Sequence, residues 1–367
     1  MVNDGITRRA VLALVPGTLA ARTHTKKTKP LPRVGGFVRF ADPTTETTVV
    51  RLTNPATTSI LPAPTNRFVS LRDRFLIFSS DATGSLSPHR VDLHTGMVTR
   101  LASAKKLDPR SLSMDEKERL LHFLDGGRLR AVNLRTRREE RPVAEGVSAF
   151  SAWYARGSEK PDFWVVREGK LESLGGESGR VLADNVSGDC LARPGRKGCV
   201  FVRNAGPEQR EIWYTGADTP RQEPVRLASG RVSNAVWSVD GQAVFFLREV
   251  PGRGAYLSEI HEVNPANGME TCISPTSAFA AFSANGDDSV FVGASRSKAQ
   301  PNVILLLREV RREFTLCEHR ASNPAAVVPV FSPDSRRVYF QSDHYGKPAI
   351  YSVNVELLVE PTPAVAA

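Results

Sequence analysis

Four cysteines and seven histidines are the residues with which this 367-residue chain could hold a metal or do redox chemistry. Cys190, Cys199, Cys272 and Cys317 show neither zinc-site nor C-x-x-C spacing, so spacing argues against both roles. Cys190 and Cys199 could face each other across a hairpin, and an oxidising compartment would permit a disulfide there. The histidines (His24, His89, His94, His122, His261, His319, His344) are scattered singly. His94, His122 and His261 fall on expected strands or their turns and read as structural or solvent-facing. No paired carboxylates stand at a telling spacing, and there is no G-x-S-x-G elbow and no phosphate loop.

The elements that must position any site are short strands in a repeat. A turn cue followed by a β-rich run recurs at Arg72-Asp73 before Phe75–Phe78, and at Met114-Asp115 before Leu120–Phe123. Pro194-Gly195 precedes Cys199–Val202, Asp240-Gly241 precedes Val244–Leu247, Asn285-Gly286 precedes Val290–Val292, and Pro333-Asp334 precedes Val338–Phe340. A fainter copy, Arg156-Gly157, precedes Phe163–Val166, which makes seven. Their spacing matches one four-stranded propeller blade per copy. Further hairpins follow, as in His89–Leu93 with Thr95-Gly96, and Glu259–Val263 with Asn267-Gly268, where Asx and Gly suit the turn. The expected fold is all-β: a seven-bladed β-propeller over residues 34–356. Phe37–Phe40 and Val49–Leu52 have no blade of their own and are expected to complete the last one, removing a free edge. Residues 357–367, rich in Pro and Ala, are expected to form a disordered tail.

Residues 1–33 read as an export signal and basic linker. Arg8-Arg9 precede the short apolar run Ala10–Leu14 and the small residues Ala20-Ala21, which resembles a twin-arginine leader. Export to the periplasm or beyond is the expectation. No segment has the roughly 20 consecutive apolar residues that span a bilayer. The net charge of +10 is concentrated here: seven Lys/Arg against Asp4 leave the body only mildly basic. Nucleic acid is therefore not an expected partner, whereas a mildly positive groove favours acidic sugars.

At the C-terminal unit the residues resemble a known family. Cys317-Glu318-His319, Pro329–Asp334 and Phe340–Tyr351 are similar to the last blade of the oligogalacturonate lyases, and Phe40–Pro43 with Val50–Thr53 to their opening. Ile77–Asp81 and Arg210–Trp213 also fit. The resemblance runs from about residue 37 to 355. It implies a seven-bladed propeller that cleaves pectin fragments by β-elimination, with manganese held by three histidines and a glutamine. The metal and an arginine would acidify the proton α to the uronate carboxylate, and a further histidine would remove it.

Against that pattern the ligand positions hold other residues. Two imidazoles are replaced by Ala326 and Val328, the third by Asn234, and the glutamine falls near Asn323. Arg203 stands at the family's base, and no arginine serves as a base at neutral pH. His319 matches a family histidine outside the metal set. The reading that follows has no cofactor. Arg193, Arg203, Arg210, Asn234 and Asn323 are substrate-binding candidates, because a guanidinium fork suits a carboxylate. The bland reading of each arginine is solvated charge at a blade edge. The expected function is a monomeric, exported propeller that binds acidic, pectin-derived oligosaccharides with elimination lost or altered. An active lyase and a protein-interaction propeller like that of the Tol system are the alternatives.

Overall fold

The repeated turn cue has a physical basis in the computed structural model, which describes residues 31–34, 36–154, 158, 161–175, 181–219, 223–251, 256–276 and 278–363. Five of the cues open on a buried polar residue whose side chain accepts from the first amides of the next strand. Ser70 Oγ accepts from Arg74 and Phe75 at 2.7 and 3.1 Å, and Asp115 Oδ1 from Arg119 and Leu120 at 2.5 and 2.8 Å. Ser238, Asn285 and Ser332 do the same for Ala243, Val290 and Arg337 at 2.9, 3.0 and 3.0 Å. Three residues on, Asp73, Glu118, Asp288 and Ser335 have φ between 50 and 60°, with Gly241 at 66°.

Those left-handed residues also link neighbouring units. Asp288 Oδ2 accepts from the amide of Val239 at 2.8 Å, and Ser335 Oγ from that of Gly286 at 3.2 Å. Glu118 accepts from Leu71, one unit back. A Cβ on Gly241 would lie 2.8 Å from the Pro194 carbonyl, so glycine alone lets these two turns meet.

Seven antiparallel sheets result, numbered here as blades in chain order. Blade one runs Ser59–Ile60, Phe75–Ser80, Ser87–Asp92, Val98–Arg100; blade two Ser113–Met114, Leu120–Asp125, Arg128–Asn133. Blade three is Ala149–Trp153, Asp162–Arg167, Lys170–Leu174, Val181–Ala183; blade four Cys190–Ala192, Gly198–Gly206, Gln209–Gly216, Val225–Gly230. Blade five is Val232–Trp237, Val244–Pro251, Tyr256–Val263, Glu270–Pro275; blade six Phe279–Ala284, Val290–Ser295, Asn302–Leu307, Arg312–Glu318.

Blade seven draws on both ends of the chain. Val330–Phe331, Arg337–Ser342 and Ala349–Asn354 are followed outward by Thr48–Arg51, Phe37–Ala41 and Leu31–Val34, with Tyr351 opposite Arg51 and Val353 opposite Val49. The expected closure by N-terminal strands is what the register shows. The closing sheet reaches three residues further upstream than expected. Downstream, Val359 is 3% exposed and the Thr362 amide donates to the Asp334 carbonyl at 3.1 Å. The segment expected as a tail from residue 357 is therefore packed as far as Thr362, because an apolar side chain there finds a core to enter. The export leader and the Arg156-Gly157 cue lie outside the described residues, apart from Leu31–Val34.

Second strands are buried over four or more consecutive residues, as in Phe75–Ser80, because each sheet is covered on both faces by neighbours; those of blades four and five extend past this into more open hairpins. Phe245 of blade five meets Phe291 of blade six at a ring-centre distance of 5.2 Å, and Phe282 of blade six meets the same ring at 5.8 Å. Phe279 lies so close that a Cβ on Gly293 would stand 2.3 Å from its ring. Among the described residues there is no α-helix, and none long and apolar enough to cross a membrane. The four cysteines are free.

Candidate functional site

First strands and the segments leading into them surround the central channel. At one mouth they enclose a cavity of about 640 Å³. Its walls come from six blades or their lead-ins: Thr65, Arg110, Ser187 to Asp189, Ser233 to Val236, Ala280 to Phe282, and Ala325 with Val328. The long hairpin Gly198–Gly206 and Gln209–Gly216 of blade four adds Asn204 and Arg210, which are cross-strand partners near its tip.

Two of the five sequence candidates meet here. Arg210 is exposed to the cavity, and no carboxylate of the described residues lies within ion-pair distance of it. Asn234 sits at an irregularity between Ser233 and Val236 with φ 52°, a conformation asparagine tolerates better than most residues. Its amide donates to the Ala280 carbonyl at 3.1 Å, so one end of the side chain is committed to blade six.

The other three are placed elsewhere. Arg193 is 3% exposed: Nε donates to the Gly241 carbonyl at 2.6 Å, while the guanidinium reaches Tyr214 Oη at 2.7 Å and Asp218 Oδ2 at 2.6 Å. It fastens blade four to blade five and has little left for a ligand. Arg203 lies over the Trp213 ring at 4.4 Å and donates to the Asp184 carbonyl at 3.0 Å, on the flank of blade four. Asn323 caps the 3-10 turn Pro324–Ala326, its Oδ1 accepting from Ala325 at 3.1 Å. Short-range contacts claim all three, and spacing alone does not reveal such contacts.

Two residues not expected from sequence complete the polar set. Arg110, in the lead-in to blade two, and Asp189, in the lead-in to blade four, both line the cavity and are open to solvent. The crowding walls raise the Asp189 carboxyl above the usual range, with Arg110 acting in the opposite sense. Neither lies in a motif; only the repeat register, extended to the lead-ins, would have singled them out.

Three of the histidines are held by the fold. His319 Nε2 lies 2.9 Å from the Ser295 carbonyl and its Nδ1 accepts from Ala321 at 3.0 Å, a structural role. His89 is buried with Nδ1 2.8 Å from the Ser87 carbonyl. Burial pushes His122 down to about 4. None of the described histidines lines the cavity.

An oligogalacturonate lyase in complex with manganese superposes with a TM-score of 0.73 at 18% identity, covering 89% of this chain and 98% of that one. The oligogalacturonate lyase of Vibrio parahaemolyticus gives 0.72 at 18%, covering 90% and 98%. The fold is that of the oligogalacturonate lyases. Hydrazine synthase of Kuenenia stuttgartiensis is more distant, at 0.59 and 13% identity over 80% of this chain and 96% of that one. No protein-family model and no curated protein matches the sequence.

Set beside the oligogalacturonate lyase pattern, the cavity's donors do not fit a manganese ion. Val328 offers no donor atom and is 4% exposed, with φ 48°, a strained value for a β-branched residue. Ala326 offers none either. Asp189 is the one carboxylate among the described lining residues, and manganese calls for several oxygen or imidazole ligands at once.

Proposed function

We propose that the channel mouth binds acidic oligosaccharides directly, through arginine, without metal-dependent elimination. The observation that carries this is the pair Arg110 and Arg210, two solvent-open guanidinium groups with no carboxylate within ion-pair distance among the described residues, facing one cavity of about 640 Å³. A uronate offers a planar carboxylate to such a fork and ring hydroxyls to the amides and hydroxyls of Asn204, Asn234, Ser233 and Thr65. The volume suits a short oligomer. Likeness to the lyase fold supports sugar as the ligand class, and the replaced ligand positions argue against the metal step.

The test is calorimetric titration with digalacturonate and trigalacturonate against neutral oligosaccharides of equal length, beside an absorbance assay for the unsaturated uronate. Saturable binding of the acidic sugars only, weakened about tenfold by Arg110→Ala or Arg210→Ala, is expected. A manganese-dependent absorbance signal would overturn the reading in favour of an active lyase. A chelator-insensitive signal lost in Asp189→Asn would replace it with metal-free elimination. Equal binding of neutral sugars would remove the role given to the arginines.

A further inference from the structure

Blade five carries a second cluster, away from the channel, on its two outer strands. His261 stands directly opposite Cys272, and Glu259 lies two residues before His261. Alternation along a strand puts Glu259 and His261 on one face, and cross-strand pairing adds Cys272. A register irregularity between Ile260 and His261 slides Cys272 into place. The donor atoms of Glu259, His261 and Cys272 all lie within 4.8 Å of one another.

Several features go beyond a chance meeting of polar groups. Nε2 of His261 is 2.9 Å from Glu259 Oε2. Its Nδ1 is 2.7 Å from Glu270 Oε1, yet it is buried and out of line for a hydrogen bond. Glu270 is in turn gripped by Arg248, whose Nε and Nη2 each donate at 2.8 Å. A carboxylate behind the far nitrogen of a ligating imidazole, itself held in place, is the outer arrangement that metal-binding histidines use. The ring packs against Phe246 at 5.7 Å and is only 9% exposed. Cys272 is half-buried and stays reachable from solvent.

We infer that Glu259, His261 and Cys272 form a binding site for a borderline divalent cation, zinc above all, with Glu270 and Arg248 orienting the imidazole. One thiolate, one imidazole and one carboxylate are a zinc-like donor set, unlike the all-oxygen sets of magnesium or calcium. Three protein ligands leave a fourth position for water. A thiol binds such a cation as thiolate, so binding at Cys272 displaces a proton to solvent. The site bridges the last two strands of the blade, where a sheet frays first, and does not depend on the channel reading.

Cobalt(II) is the probe, added to the metal-free full chain, with zinc as competitor. One equivalent should bind with visible bands of tetrahedral cobalt and a near-ultraviolet thiolate charge-transfer band, both abolished by zinc. Cys272→Ser should remove the charge-transfer band. The other three cysteines are in blades four and six and would leave it intact. Glu270→Gln should weaken binding about 10- to 100-fold while keeping that band. Failure of the wild-type chain to take up a stoichiometric ion overturns the inference whatever the variants do. So does a spectrum that is the same in Cys272→Ser, provided that variant melts like the wild type.

Discussion

The Tyr339 hydroxyl of blade seven donates to the Asp73 carboxylate of blade one, and Arg337 reaches the same carboxylate with Nε at 3.0 Å from Oδ2. Asp73 is the left-handed residue of its turn cue, so the clasp that links other neighbours also joins the last unit to the first. Tyr339→Phe keeps the ring's packing and leaves a largely buried carboxylate short of one partner. Stability should drop by about 1–2 kcal/mol, read as a lower urea midpoint with an unchanged slope.

Arg193→Met separates the structural from the ligand role. Removing the guanidinium leaves the Gly241 carbonyl and Tyr214 hydroxyl without a buried donor. A loss of about 2–3 kcal/mol is expected, with sugar affinity unchanged in the folded fraction. A drop in affinity with no change in melting would return Arg193 to the binding set.

His122 sets an acid limit. Its imidazole is 2% exposed, Nδ1 has no partner, and burial holds it at about 4 against an ordinary 6.5. Below pH 6.5 the unfolded chain takes up a proton that the folded chain refuses, so stability falls as pH falls. The window closes near pH 4, where the cost is on the order of 3 kcal/mol. His122→Leu should flatten that slope, measured by denaturant midpoints at pH 7 and 4.5. His89 and His319, also lowered by burial, add in the same sense and remain in the variant.

Gly293→Ala tests how closely blades pack. The new methyl would overlap the Phe279 ring, which is fully buried and has no free space to enter. Overpacking of about 1–3 kcal/mol is expected. Phe279→Leu in the same chain should return part of it, as a positive coupling in a double-mutant cycle.

The architecture was legible because turn chemistry repeats. Ser70, Ser238 and Ser332 recur at matching places, and each starts a strand by binding its amides. Closure was legible because Val49 and its neighbours had apolar strand character and no nearby partner. The cavity lining was partly legible: Arg210 and Asn234, singled out in the sequence, line it, while Arg110 and Asp189 lie in lead-in segments with no motif. A charge count does not show that Asp218 holds Arg193 or that Arg203 lies over Trp213. Cys272 shows the same limit in another form. Its spacing to other cysteines argues against a metal, yet strand register brings it to a histidine and a glutamate.

Blade seven also orders events in time. The Thr53 hydroxyl accepts from the Ile350 amide at 2.9 Å, across 297 positions of chain, whereas the other six sheets are each built from contiguous sequence. During synthesis those six can pair as they emerge, but Thr48–Arg51 must wait as an open edge until Ala349–Asn354 exists. Contacts that distant make the closing step slow relative to the local hairpins. A ribosome that stalls late therefore releases a nearly finished ring with a gap, exposing backbone ready to pair with another chain.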